Sequence, residues 1–180
     1  MMTPSLKEIL LTEKRNLTIE YGCLMADIPK NYADRLVEFG KRIIDESELY
    51  KEGEEFGREE DMHCTVKYGF IKDLHELQIR EILKNVKPFT IRVVGLGKFE
   101  SKKFDVVKLT VKSDELNKLH EYCNKFPNKD EFPIYNSHIT LGYIQKGIKK
   151  NFNKSLAMSI PISQFTYSPI YGEKSKFDLG

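Results

Sequence analysis

Apolar residues along this chain fall into short runs and stripes that alternate between strand and helix character. Leu17 to Asp27 carries Ile19, Cys23, Leu24 and Met25 in a partly continuous run, the pattern of a buried strand. Pro29 opens a helix reaching about Asp45, where Ala33, Leu36, Val37, Gly40, Ile43 and Ile44 recur at helical spacing and lay one stripe against a sheet. Glu46 to Asp61, with Gly53 and Gly57, holds too little apolar material to pack and is expected to be a mobile surface loop. Met62 to Phe70 reads as a second strand. Asp73 is placed to cap a helix ending near Lys84, Pro88 punctuates, and Phe89 to Gly97 returns as a strand whose Gly95 and Gly97 suggest an irregular end.

The second half runs in the same order. Phe104 to Val111 alternates as a strand, and Ser113 caps a helix whose buried side carries Leu116, Leu119, His120 and Cys123. Tyr135 to Ile144 is again a strand. A polar, basic turn follows around Lys146 to Lys154, and Gln164 to Leu179 resembles a closing hairpin turning near Gly172 and Glu173. No linker composition separates the halves. A chain of 180 residues, 40% hydrophobic, buries one respectable core, so one domain spanning 1–180 is expected.

Composition narrows the function. The net charge of +2 lacks the long-range field of a protein that coats duplex nucleic acid, so duplex DNA is not the expected partner, while a small anionic ligand or an RNA end remains compatible. Cys23, Cys64 and Cys123 are odd in number, widely spaced and free of any C-x-x-C, which argues against a disulfide frame or a zinc site and for a reducing cytoplasm. Charges interrupt the apolar run Ile9, Leu10, Leu11, leaving neither a signal-peptide core nor a membrane span there. The expectation is a cytoplasmic monomer that needs no membrane, metal or cofactor.

The chemistry lies in a repeat. His63-Cys64-Thr65-Val66-Lys67-Tyr68 and His138-Ile139-Thr140-Leu141-Gly142-Tyr143 both read H-x-T-apolar-x-Y. With Tyr at nine of 180 positions and Thr no commoner, two chance copies are improbable. Each copy also follows a strand and a helix, so the halves read as an internal duplication. Strand alternation places His63, Thr65 and Lys67 on one face with Cys64, Val66 and Tyr68 inward, and likewise His138, Thr140 and Gly142 opposite Ile139, Leu141 and Tyr143. Under a pseudo-twofold axis, two imidazoles and two hydroxyls converge on one cleft. In-line displacement at phosphorus needs one proton removed and another delivered on opposite sides, and two imidazoles divide that work near neutral pH. Thr65 and Thr140 donate to the non-bridging oxygens, and no metal is required.

These paired H-x-T motifs resemble the two-histidine (2H) phosphoesterase superfamily, the LigT-like and cyclic phosphodiesterase group, over nearly the whole chain. Phe56-Gly57-Arg58-Glu59, and Phe132-Pro133 with Tyr135, are similar to stretches of phage and prophage members of the 2'-5' RNA ligase-like kind. The resemblance implies an α+β, bilobal fold, with two antiparallel sheets around a central cleft and helices outside, the lobes covering approximately residues 17–100 and 104–180. It also implies metal-free action on ribonucleotide phosphodiesters with 2',3'-cyclic, 2'-5' or 3'-5' linkages, some phage relatives degrading cyclic oligonucleotide alarm signals. By position, the catalytic roles fall on His63, Thr65, His138 and Thr140. Lys67 departs from the usual apolar residue of similar proteins and is a candidate phosphate contact.

Further candidates are weaker on their own chemistry. Tyr21, beside Gly22, is a candidate base-stacking residue, and Arg58, in the loop before His63, a candidate phosphate clamp, although packing and solvation are the commoner fates of such residues. Tyr167 and Tyr171 of the closing hairpin either shape a base pocket or pack the sheet. His75 and His120 sit on different helices and make no metal site. Three functions share this site: cleavage of a cyclic di- or oligonucleotide signal in phage anti-defence, which places the protein in the host cytoplasm; processing of RNA ends with 2',3'-cyclic phosphate or 2'-5' linkages; and non-catalytic sequestration of a nucleotide.

Overall fold

The computed structural model describes residues 21–53, 56–129, 134–150 and 156–180. Eight strands are described: β1 (Gly22–Asp27), β2 (His63–Phe70), β3 (Phe89–Glu100), β4 (Phe104–Lys112), β5 (His138–Gln145), β6 (Met158–Ile162), β7 (Gln164–Ser168) and β8 (Ser175–Asp178). Three α-helices accompany them: α1 (Lys30–Ile43), α2 (Glu76–Leu83) and α3 (Asp114–Cys123). The fold is α+β, a curled antiparallel sheet with peripheral helices. Its strand order is β6-β3-β4-β5-β2-β1-β7-β8. Where two sheets were expected, hydrogen bonding is continuous through all eight strands, but the joint at the centre is narrow: β2 and β5 pair only at Cys64 and Ile139.

Two of the helices each cover the other half's motif strand. α1, which links β1 to β2, packs against β5; α3, which links β4 to β5, packs against β2. The sequence explains both helices. Pro29 precedes α1, where its missing N–H costs nothing, and Leu36, Phe39 and Gly40 form its buried stripe. The Ser113 side chain accepts from the Leu116 N–H at the start of α3, as its position predicted. α2 begins later than expected, with His75 as its N-cap. Asp73 instead accepts from the backbone N–H groups of Ile170 and Tyr171 and ties the closing hairpin to the segment before α2.

The first strand was expected from Leu17, and residues 17–20 lie outside the described region. Two other expectations change. The expected irregularity appears as a register shift between Val93 and Gly95, but β3 continues past it to Glu100, and β6, which sequence reading left unassigned, pairs with β3. The described parts of the segment from Glu46 to Asp61, residues 46–53 and 56–61, pack rather than standing free. They contain a short 3-10 turn at Glu46–Glu48, bury Leu49, and run alongside β5 through the bridges Leu49–Ile144 and Arg58–Gly142. Phe56 meets Tyr50, Phe104 and Tyr143 at centroid distances of 5.2, 4.9 and 5.3 Å. Few apolar residues suffice because aromatic rings cover large areas.

A bulge sits at the same place in both motif strands. On β2, Met25 pairs with Thr65 but Leu24 with Lys67, leaving Val66 as the extra residue; on β5, Lys108 pairs with Thr140 but Val107 with Gly142, leaving Leu141 extra. One extra residue inverts the alternation that follows. Lys67 therefore turns to the buried side opposite Leu24, and Tyr68 turns out beside Cys23; Gly142 and Tyr143 exchange sides in the same way. The predicted inward positions of Tyr68 and Tyr143 are corrected by this inversion.

The bulges have matched polar partners. Val66 O meets His120 Nδ1 at 2.8 Å, Thr65 O accepts from Tyr135 Oη at 2.9 Å, and Leu141 O accepts from Glu59 N at 3.1 Å. The His120 ring stacks on Tyr135 at 4.2 Å. Replacing His120 by Phe keeps the stack and orphans the Val66 carbonyl, so chemical unfolding is expected to show a loss of about 1–3 kcal/mol. A loss below about 0.5 kcal/mol would mean that water replaces the imidazole there.

Candidate active site

The Cys64–Ile139 rung sets the site. Both side chains are fully buried, so their strand neighbours His63, Thr65, His138 and Thr140 project from the opposite face. That rung is the only β2–β5 pair among the described residues, with His63 and Thr65 flanking it on β2 and His138 and Thr140 on β5. The two histidines lie near enough for the charge of His63 to act on the His138 ring. The four residues singled out by the repeated motif thus flank one rung, two on each strand.

The two imidazoles are anchored alike. His63 Nδ1 lies 2.6 Å from Asp61 O, and His138 Nδ1 lies 2.7 Å from Asn136 O. A carbonyl only accepts, so each Nδ1 carries the proton and each Nε2 is left for a ligand. Their surroundings differ. Burial holds the His138 imidazole below its ordinary pKa, opposed by the Asn136 carbonyl, with the Lys108 and His63 charges adding to the depression. The Phe99 ring meets His138 edge-on at 5.0 Å. His63 is paired along β1 with Asp27, whose carboxylate accepts from Thr166 Oγ1 at 2.8 Å and is raised in pKa by burial.

Thr65 touches the Cys23 thiol. Burial pushes Cys23, Cys64 and Cys123 up to about 12, so these free thiols stay protonated and unreactive. A cavity of about 630 Å³ opens beside His63, lined in part by Met25, Asp27, Asp61, Thr166 and Lys176. Such a volume accommodates a nucleotide-sized ligand. Among the described residues, no group of three His, Cys, Asp or Glu side chains is placed to hold a metal ion. No helix among them is long and apolar enough to cross a membrane.

The weaker candidates separate. Lys67 is 1% exposed and its Nζ donates to Asn124 Oδ1 at 2.6 Å on the helical side, so it does not face the cleft. The Val66 bulge is the reason. Arg58 donates from Nη2 to Ile44 O at 3.1 Å and pairs with Glu46 at 3.4 Å, which fastens the start of the 46–58 segment, while its buried Nη1 has no hydrogen-bond partner. Tyr21 stands edge-on to Tyr68 at 5.7 Å, on the outward side of β2. Tyr167 is buried and accepts from Leu74 N, a packing role, whereas Tyr171 is exposed.

Sequence reading did not single out Lys108, Phe99 or Asp27. Lys108 and Thr110 were visible on the polar side of an alternating strand, but their placement beside Thr140 and His138 depends on the β4–β5 register, which only the fold supplies.

This sheet and the paired H-x-T motifs define a 2H-type phosphodiesterase. Residues 41–175 match the family described as anti-CBASS protein Acb1, and the chain belongs to that family. Among solved structures, TT0787 of Thermus thermophilus is similar with a TM-score of 0.60 and 15% identity, over 88% of this chain and 97% of that one. Escherichia coli LigT complexed with 3'-AMP is similar with a TM-score of 0.59 and 12% identity, over 89% and 95% of the two chains. Usb1 of Kluyveromyces marxianus gives 0.57 and 9%, over 89% and 98%. Identities this low speak for the fold. No curated protein sequence matches the chain.

Proposed function

We propose that this protein cleaves a cyclic di- or oligonucleotide signal at a ribonucleotide phosphodiester, by metal-independent acid-base catalysis in the cytoplasm of a bacterial host. The observation that carries this reading is the pair of imidazoles either side of the Cys64–Ile139 rung, each held alike through Nδ1, with Nε2 available and a threonine two residues on along its own strand. The family's anti-CBASS description supports the setting.

In this reading His138 is the base. Its depressed pKa keeps Nε2 unprotonated at neutral pH, ready to take the proton of the attacking hydroxyl, either a ribose 2'-OH or water. As that oxygen bonds to phosphorus, the opposite P–O bond breaks and its electron pair leaves with the departing oxygen. His63, approaching from the other side, delivers a proton there. Thr65 and Thr140 donate to the non-bridging oxygens, where fixed donors stabilise the redistributed charge. One proton is removed and one is delivered, so a second proton exchange with solvent resets the pair.

The strand order supports a bilobal, pseudo-twofold reading. β6-β3-β4-β5 and β2-β1-β7-β8 each hold four strands, meet at one rung, carry the same bulge, and exchange helices. The chain then acts as a single monomeric domain with the lobes as its halves. A second reading, processing of RNA ends, draws support from the similarity to LigT, whose structure holds 3'-AMP. Sequestration without turnover uses the same four residues.

The discriminating experiment supplies the protein in EDTA with cyclic dinucleotides, cyclic trinucleotides, 2',3'-cyclic mononucleotides and RNA bearing cyclic ends. Linear products from the cyclic oligonucleotides are expected at rates unaffected by chelator. Turnover confined to RNA ends would favour the second reading, and tight binding of every ligand without turnover would favour sequestration. Activity abolished by EDTA would overturn the mechanism.

A further inference from the structure

Lys108 lies in the candidate cleft. Register places it directly across from Thr140, and the next residue on the same face, Thr110, directly across from His138. On its other side β3 presents Gly97 opposite Lys108 and Gly95 opposite Thr110. A Cβ added at Gly97 meets nothing within 4 Å. The floor beside the lysine is therefore bare, and the neighbouring Lys98 points to the other face, where it pairs with Asp105 at 2.7 Å.

The partners of Lys108 are all neutral. Its Nζ donates to Thr110 Oγ1 at 3.1 Å and stands 4.2 Å from the centroid of the Phe99 ring. No carboxylate among the described residues pairs with it. Burial lowers its pKa, the mark of an ammonium drawn out of water without a counter-ion. The charged and titratable groups facing it are His138 on β5 and, beyond that ring, His63 on β2; β3 offers only glycine and Phe99. The corresponding position in the first half, across from Thr65, is Met25. The cation is thus confined to one side of the pair.

We infer that Lys108 is the cationic anchor of the scissile phosphate, gripping the non-bridging oxygen on the Thr140 side from a floor kept bare by Gly95 and Gly97. This rests on the phosphodiesterase reading above. The hydroxyl donors are symmetric, but the ammonium is not, so a bound diester is held in one orientation and the attacking and leaving oxygens take fixed sides. A bulky base or sugar attached on that side finds open floor where side chains would otherwise stand.

Lys108→Met, which keeps the stem against Phe99, and Lys108→Arg, which keeps the charge, test this. With a hydrolysed cyclic dinucleotide, Lys108→Met is expected to lower kcat/KM by about 30- to 100-fold, while Lys108→Arg stays within about fivefold of the parent. Inorganic phosphate titrated into labelled protein and read at the His138 ring by NMR provides an arm that needs no turnover. There Lys108→Met is expected to weaken phosphate binding about tenfold, and without phosphate to move the His138 midpoint upward, since a repelling cation has gone. Parental phosphate affinity in a folded Lys108→Met protein would overturn the inference whatever the activity. If the parent hydrolyses no diester yet binds phosphate through Lys108, the enzyme reading falls and the anchor stands; if the parent binds no phosphate, the anchor falls too.

Discussion

His63→Ala and His138→Ala are each expected to lower kcat on the scissile diester by about 100- to 10,000-fold, with the far-ultraviolet circular dichroism of the parent retained. Both side chains project from the sheet away from the core, and each is hydrogen-bonded through Nδ1 to a carbonyl two residues back, His138 also meeting the Phe99 ring. Removing either takes a proton carrier without opening a cavity. The double variant is expected to be little worse than the single ones, because base and acid act in one step and their losses do not multiply. pH sharpens the test. A base with a depressed pKa stays unprotonated further into acid, so the rising acidic limb of kcat/KM is expected below the ordinary imidazole value of 6.5. A limb above that value would take the base role away from His138, and either alanine variant within tenfold of the parent would remove that histidine from the chemistry.

The largest expected effect on stability is at Gly69. It sits in β2 at φ +105, where a side chain is strained, and an added Cβ would come within 2.3 Å of Lys129 O. That carbonyl belongs to a backbone segment tied to β2 by the hydrogen bond from Lys129 N to Gly69 O at 2.8 Å and by the Phe70–Asn128 bridge. Backbone cannot swing aside as a flexible side chain does. Gly69→Ala is expected to cost about 3–5 kcal/mol, a large share of the 5–15 kcal/mol typical of a domain. Calorimetry or urea unfolding checks it, and a loss under about 1 kcal/mol would mean that the 127–129 segment is not held against β2 as described.

Legibility from sequence followed the range of the interaction. Helix α1 and the Ser113 cap rest on neighbours a few residues apart, so pattern alone located them. The H-x-T copies were legible because their roles end before the bulge: His63, Thr65, His138 and Thr140 keep simple alternation. One residue further the rule fails, since nothing local to Val66 or Leu141 announces an extra residue; the partners that accept it, His120 and Glu59, come from elsewhere in the chain. Lys67 was misplaced for that reason. Lys108 was passed over for the complementary one, its significance arising only when β4 and β5 are laid side by side. The 46–61 segment was judged on how few apolar residues it holds, whereas its order depends on β5 having an open edge beyond the Cys64–Ile139 rung.

The exchange of helices has a mechanical meaning. With α1 roofing β5 and α3 roofing β2, prying the halves apart at the central rung would drag each roof off its floor and bare Leu36 and Phe39 on one side, Leu116 and Leu119 on the other. The spacing between His63 and His138 is thereby clamped by the oil of the whole interior, although only one ladder rung spans the seam. On the proposed reading, a substrate meets a gap whose width that packing sets, and widening it exposes core side chains.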